Sequence, residues 1–384
     1  MPAHLLFVSG TALSANNGSS RVERTLATLG AERFAITLLT RDETALGPGP
    51  FEHRLYRRPS SKSWWQWLRA GRVAETIAAI HREQPIHLVH GFGFFPVALY
   101  VARFARRSGV PYVLTHHDMR LLPGAPGLRG ATLAALRCAQ MVTCLNEAQR
   151  VALLRAGILE DRLTVIPNGA GAAREEAAPI DPPPGFVAPI DPPPGFVLFA
   201  GRFEREKGVH LLLDALAMVP KERRPALVLA GAGRDEAWVQ ARAADLGATT
   251  LPWLPHGALT GLIKRARAVV LPSFSEGSPL LLLEAYAREV EVIAHDLPEL
   301  EEALRDADGT PLGRLIPVGD RAAWAEALEQ TRGQVDRAQI ARAKARAEER
   351  SWAKIAAQYH AIYQRILQGS AVARLATAGP GRRK

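Results

Sequence analysis

The chain has 384 residues, 47% of them apolar and 22% charged, which is material for about two packed domains and argues against wholesale disorder. No apolar run approaches the roughly 18 residues of a membrane-spanning helix. The apolar run Leu5–Val8 has no Lys or Arg before it, unlike a secretory leader, and two cysteines, Cys138 and Cys144, exclude a disulfide scaffold or a four-cysteine zinc site. Lys and Arg number 48 against 38 Asp and Glu, a net charge of +10. That charge favours anionic partners (nucleic acid, an anionic membrane or phosphorylated substrates) or reflects an arginine-rich proteome with no specific partner.

In chain order, the first half alternates short apolar runs with helical patterns. Strands are expected at 4–8, 34–40, 86–90, 111–115, 141–145 and 162–166, and helices near 19–29, 65–83, 96–108 and 146–156. The loop Asn16-Asn17-Gly18-Ser19-Ser20 is either an ordinary turn or a set of amides offered to a ligand at a helix start. From His53 to Arg72 the bases Arg54, Arg57, Arg58, Lys62, Arg69 and Arg72 surround Trp64, Trp65 and Trp67 with no acidic residue among them. Such a stretch suits the interface of an anionic bilayer; the alternative is tryptophans in the core and solvated bases. Val89-His90-Gly91 is read as a loop after a strand. Tyr112 to Thr115 is a strand that ends in His116-His117-Asp118, two imidazoles and a carboxylate delivered toward a cleft. No third cluster has metal-ligand spacing.

Residues 178–187 read APIDPPPGFV and residues 188–197 repeat the same ten letters, with eight prolines in the twenty. Proline lacks an amide donor and fixes φ, so the stretch is an extended spacer rather than helix or central strand. Beyond it, strands are expected at 196–200, 226–230, 268–271 and 291–294, and helices near 208–218, 234–246, 279–288, 321–331 and 337–349. Residues 351–367 form an amphipathic helix carrying Trp352, Ile355, Tyr359, Ile362 and Ile366, and the tail from Gly369 reads as disordered. Strands apolar on both faces and separated by helices make parallel sheets covered on both sides. The expected fold is therefore α/β, two Rossmann-like doubly wound domains facing a cleft, with ligands beyond the carboxyl ends of the strands. The boundaries are 1–171 for the first domain, 172–195 for the linker, 196–350 for the second domain, 351–368 for the last helix and 369–384 for the tail.

Three loops of the second half carry chemistry. Gly201-Arg202-Phe203-Glu204-Arg205-Glu206-Lys207-Gly208 follows a strand and precedes a helix, and two cations five residues apart can grip the two phosphates of a diphosphate. Alternatively, Glu204 and Glu206 pair with those bases. In Ser273-Phe274-Ser275-Glu276-Gly277-Ser278-Pro279-Leu280, Ser278 suits an N-cap and Pro279 the first helical position. The amides of Leu280 and Leu281 then form an anion site. Glu284, after an apolar run, is costly to bury unless something such as a ribose diol bonds it; otherwise Glu276 only favours the helix dipole and Glu284 lies at the surface. Ala230-Gly231-Ala232-Gly233 is a further glycine turn after a strand.

Together these residues resemble the GT-B glycosyltransferases of glycosyltransferase family 4. The resemblance runs through His117-Asp118, Val165-Ile166-Pro167-Asn168-Gly169, Gly201-Arg202 to Lys207-Gly208, Ala230-Gly231-Ala232-Gly233, the pair Glu276 and Glu284, and Ser351-Trp352. It implies a retaining transfer from a nucleoside-diphosphate sugar with no cofactor and no required metal. Arg202 and Lys207 would bind the diphosphate, Glu284 the ribose, Glu276 the donor sugar, and His117 that sugar from the opposite domain. Gly18, Gly201, Gly231, Gly277, Ser278, Leu280 and Leu281 would complete the donor site, and the last helix would cross back to the first domain. The chain departs from the family where a glycine-containing turn is usual, at Ala287-Arg288-Glu289-Val290. It departs again where Ala294-His295-Asp296-Leu297-Pro298-Glu299 stands in place of a Gly-Gly pair before an acidic residue.

The resulting expectation is an active enzyme, cytoplasmic or peripheral on the inner face of the membrane. It would build a cell-surface glycan or glycolipid such as lipopolysaccharide or capsule, with no nucleic acid as partner. The alternatives are a catalytically impaired relic acting as a basic phosphate- or nucleic-acid-binding protein, and a nucleotide-sugar epimerase or phosphorylase on the same fold.

Overall fold

The computed structural model of the chain describes residues 2–10, 18–40, 49–56, 66–116, 126–171, 192 and 195–377, with the side chains of 66–70 and 370–377 left aside. The chain divides into two compact units, Met1–Pro167 with Ala353–Lys384, and Asn168–Trp352. In the first, β1 (His4–Ser9), α1 (Gly18–Gly30), β2 (Ala35–Thr40), β3 (Glu52–Leu55), α2 (Gln66–Glu83), β4 (Leu88–Phe92), α3 (Val97–Ser108) and β5 (Tyr112–Thr115) come in succession. They are followed by α4 (Pro126–Arg137), β6 (Met141–Cys144), α5 (Glu147–Arg155) and β7 (Leu163–Val165). The second unit runs β8 (Val197–Ala200), α6 (Val209–Met218), β9 (Leu227–Ala230), α7 (Glu236–Leu246), β10 (Thr249–Leu251), α8 (His256–Arg265) and β11 (Ala268–Leu271). It continues with α9 (Leu280–Ala287), β12 (Glu291–His295), α10 (Glu301–Leu304), β13 (Arg314–Ile316), α11 (Arg321–Gln330) and α12 (Arg337–Glu349), and α13 (Trp352–Thr377) ends the described chain.

Among the described residues the sheets are seven- and six-stranded, ordered β3-β2-β1-β4-β5-β6-β7 and β10-β9-β8-β11-β12-β13. Every pairing is parallel, from Leu6 opposite Thr37 and Val89 to Ile293 opposite Arg314. Each is a doubly wound sheet whose strand order reverses between two neighbours, β1 and β4 in one and β8 and β11 in the other, and the crevice at such a reversal takes ligands. The strand β8 shows how the pattern builds both faces. Phe196 and Leu198 enter the core on one side of the second sheet, and Val197 and Phe199 enter the core on the other. Burying each such side chain contributes about 1.5–3 kcal/mol. The second copy of the repeat thus supplies Phe196 and Val197 to the core, while residues 172–191 lie outside the described residues.

The structure adds elements and moves others. The edge strands β3, β10 and β13 and the helices α4, α8 and α10 are additions to the expected series. Val89-His90-Gly91 is strand rather than loop, within β4. The C-terminal helix does not stop before Gly369 but runs to Thr377, so the reading of 369–384 as a disordered tail is corrected for its first part. Helix α13 belongs with the first sheet from Ala353 onward. There Tyr363 Oη lies 2.6 Å from His90 Nδ1, while His90 Nε2 lies 2.6 Å from Thr115 Oγ1, all wholly or nearly buried.

Candidate functional site

The reversal point of the second sheet brings the loops after β8 and β11 side by side. The first is laced to the loop after β9: Gly201 N donates to Ala230 O at 3.0 Å, and Phe203 N to Ala232 O at 3.0 Å. Gly231 has no room for a side chain, because a Cβ there would overlap the carbonyl oxygen of Gly201. Residues Arg205–Lys207 form a 3-10 turn that closes through Gly208 at φ 71, a left-handed conformation set against the Pro272 carbonyl. The two loops are then tied directly, Phe274 N donating to Glu206 O at 2.9 Å.

This frame brings the charged residues together in an order the sequence did not give. Arg202 is half exposed and donates to Glu204 at 2.7 Å. An exposed pair of this kind contributes about 0–1 kcal/mol, so it constrains Arg202 little. Lys207 pairs with neither neighbouring glutamate. Its Nζ donates to Glu276 Oε1 at 2.6 Å, with both side chains mostly buried. Lys207 and Glu276 are 69 residues apart in sequence, which is why spacing alone could not pair them.

The start of α9 corrects the capping argument. Pro279 itself occupies the N-cap position at φ −70 and ψ 118, and the helix begins at Leu280. Ser278 is not the cap: its Oγ accepts the Asn168 amide at 3.1 Å, and its carbonyl accepts from Asn168 Nδ2 at 2.7 Å. Asn168 therefore clamps this loop. Leu280 and Leu281 keep the leading position, where helix amides have no acceptor within the helix. Gly277 lies between Glu276 and Ser278 on the same loop, partly buried.

Glu284 is 2% exposed, which removes the reading of it as a surface residue. Its Oε1 lies 3.7 Å from His256 Nδ1, and Arg288 donates to its main-chain carbonyl at 3.1 Å. His256 is a site residue that sequence reasoning missed, since it opens α8, a helix that reasoning did not place. The turn after α9, a departure from the family pattern, runs through Glu289 at φ 60, where glycine would carry no steric cost.

The first unit holds the remaining candidate residues. His117 and Asp118 lie outside the described residues. His116 is not delivered toward open space: it is 3% exposed and stacks on Phe94 at 4.2 Å between ring centroids. Gly18 opens α1 in an exposed position. Of the basic stretch, residues 57–65 lie outside the description, and Arg54 is neutralised by Glu52 at 2.6 Å and Glu83 at 3.0 Å, two acids beyond the ends of that stretch. Among the described residues no helix is long and apolar enough to cross a membrane, and no group of three or more His, Cys, Asp or Glu is placed to hold a metal ion.

Comparison with known proteins gives this geometry a context. Residues 16–174 match the profile of Glycosyltransferase Family 4, and residues 186–347 that of Glycosyl transferases group 1. A glycogen synthase of Mycobacterium tuberculosis is 35% identical over 175 residues, 43% of this chain and 39% of the relative. A phosphatidyl-myo-inositol mannosyltransferase of Mycobacterium leprae is 30% identical over 207 residues, 52% of this chain and 53% of the relative. The matched part thus spans about two fifths to a half of these relatives. Among solved structures, a sucrose-phosphate synthase from Thermosynechococcus elongatus superposes with a TM-score of 0.74 at 19% identity, covering 96% of this chain and 100% of that one. A lipopolysaccharide outer core galactosyltransferase, WaaB, does so with 0.65 at 17%, covering 94% and 98%. An Anabaena protein, HepE, solved with UDP-glucose, gives 0.68 at 17%, covering 96% and 99%. Two parallel sheets with a charged loop pair at the second reversal point, matched along both halves by these profiles, place the chain in the group 1 glycosyltransferases of GT-B fold.

Proposed function

We propose that the chain is a retaining glycosyltransferase, moving a sugar from a nucleoside-diphosphate sugar to a cell-surface glycan or glycolipid at the inner face of the cytoplasmic membrane. The observation that carries the reading is the meeting of Lys207 and Glu276 at 2.6 Å on loops from two neighbouring strands, with Glu284 buried on the helix that one of them starts. Lys207 and Arg202 are the cations that would face the two phosphates. Glu284, beside His256, would accept the ribose hydroxyls, and Glu276 would lie against the donor sugar. The resemblance also assigns His117 to that sugar and Gly18 to the donor, and Gly201, Gly231, Gly277 and Ser278 would let the backbone approach the donor closely.

In such a site no covalent nucleophile is needed. The bond from the anomeric carbon to the diphosphate oxygen breaks as the acceptor oxygen bonds to that carbon on the same face. The acceptor's proton passes to the departing phosphate. Lys207, Arg202 and the leading amides of α9 stabilise the negative charge that grows on the diphosphate, a task often given to a metal ion, and no metal is required in this reading. The acceptor class is supported by two similar proteins, a phosphatidyl-myo-inositol mannosyltransferase and a lipopolysaccharide galactosyltransferase.

The test incubates the full chain, with EDTA present, with UDP-, GDP- and ADP-sugars and lipid extracts. One donor should be consumed, and the new glycosidic bond should keep the donor's anomeric configuration. Inversion would overturn the retaining mechanism. Failure with every donor, together with retention on DNA or RNA at about 0.15 M salt, would favour the relic reading.

A further inference from the structure

His295 is the last residue of β12 and is wholly buried. Its Nδ1 lies 3.0 Å from the Ser273 carbonyl oxygen, and its Nε2 lies 3.2 Å from the Gly319 amide nitrogen. A carbonyl only accepts and an amide N–H only donates, so these partners require the neutral tautomer with its hydrogen on Nδ1. The ring is held between Phe274 and Trp324, at 5.3 and 5.4 Å between centroids. His295 therefore joins three segments: the end of β12, the loop after β11 and the turn after β13.

The bond to Ser273 has a particular target. The Ser273 carbonyl and the Phe274 N–H are the two ends of one peptide unit. That N–H donates to the Glu206 carbonyl at 2.9 Å, next to Lys207. The plane of this peptide is thus gripped from one side by an imidazole and from the other by the lysine's own loop. Two residues further on, Glu276 takes the Lys207 ammonium at 2.6 Å. A rotation of the peptide would break both bonds and carry Glu276 away from Lys207.

We propose that His295 is a positioning residue of the donor site: by fixing the Ser273–Phe274 peptide it sets where the loop presents Glu276. The proposal rests on the functional reading of Lys207 and Glu276 given above. It also assigns a purpose to a position where the chain departs from its family's pattern. An imidazole offers a donor and an acceptor at opposite ends of a rigid ring, and both ends are used here.

The experiment compares His295→Leu, His295→Gln and His295→Asn in the full chain with wild type. An Asn amide reproduces the donor at Nδ1, while Leu and Gln leave the Ser273 carbonyl without it. Two readouts are taken: steady-state kinetics with whichever of the UDP-, GDP- and ADP-sugars the wild type consumes, and amide hydrogen exchange at Phe274. Leu and Gln should lower kcat by about tenfold or more, equivalent to the loss of one buried hydrogen bond. The donor KM should stay within about threefold, because the diphosphate and ribose contacts remain, and Phe274 exchange should accelerate at least about tenfold. Asn should restore most of both. If Leu does not fold, Gln carries the test. Wild-type kcat and exchange in a folded Leu or Gln variant would overturn the proposal, as would an Asn variant as impaired as Leu. If the wild type consumes no donor, the functional reading fails and the exchange arm decides: an unchanged Phe274 amide overturns the positioning role and a faster one sustains it.

Discussion

The two sheets share one strand order over six strands, with a seventh added in the first, yet the two units hold their polar groups differently. In the first unit they are sealed in: His90, Thr115, Thr143 and the hydroxyls of Tyr359 and Tyr363 form a buried network between the sheet and α13. In the second, loops knitted by main-chain hydrogen bonds hold charged groups, Arg202 with Glu204 and Lys207 with Glu276, that are only partly covered. Neutral hydroxyls buried among themselves serve a fold, whereas partly covered charges beside helix amides serve an anionic ligand. One doubly wound scaffold thus takes two treatments, and the proposed donor site lies in the unit whose loops carry these partly covered charges.

The largest effect should come from the frame of the second unit. Gly208→Ala would place a Cβ into the Pro272 carbonyl on a residue at φ 71, and strain with overpacking should cost roughly 2–4 kcal/mol in urea denaturation. Next is Lys207→Ala, which should lower turnover about a hundredfold or more, as expected for one electrostatic stabiliser, with the denaturation midpoint nearly unmoved. A large fall in that midpoint instead would make the Lys207–Glu276 pair a stability element and blur the contrast between the units. Tyr363→Phe, in the first unit, removes the hydroxyl 2.6 Å from His90 and should cost about 1–3 kcal/mol of stability while leaving nucleotide affinity as it was.

Acid should act on both units by the same physics. Burial pulls His4 and His360 in the first unit, and His295 in the second, below their ordinary value of 6.5. Above that value neither the folded nor the unfolded chain protonates them, and their contribution to stability is complete. Below it the unfolded chain takes up protons that the folded chain refuses, so stability falls as pH falls, by about 1.4 kcal/mol per pH unit for each such histidine. Replacing His295 with Asn should lower the proton uptake on unfolding measured below pH 6.5. An unchanged uptake would mean that this ring is already charged in the fold.

How far the sequence spoke for itself follows from the same chemistry. Strands buried on both faces read as continuous apolar runs, and 4–8 and 196–200 stand as β1 and β8 almost residue for residue. The edge strands Glu52–Leu55, Thr249–Leu251 and Arg314–Ile316 are three or four residues long and partly polar, because an edge is only half covered. Helices α4 and α8 each carry two glycines, so packing rather than propensity holds them. In the site, Arg202, Lys207 and Glu276 were visible as residue types in the loops after strands, and Glu284 in the helix that follows one of them. The pairing of Lys207 with Glu276, the use of Ser278 by Asn168 and the approach of His256 to Glu284 all depend on which strands adjoin, and no local pattern records that.

The central claim, that the second unit binds the nucleotide through Glu284, is tested most directly by calorimetric titration of UDP, GDP and ADP into the full chain as wild type, Glu284→Ala and Tyr363→Phe. One nucleotide should bind wild type and Tyr363→Phe alike and bind Glu284→Ala more weakly by about 1.5–3 kcal/mol, roughly tenfold to a hundredfold in Kd. Equal affinity of all three proteins for that nucleotide would contradict it.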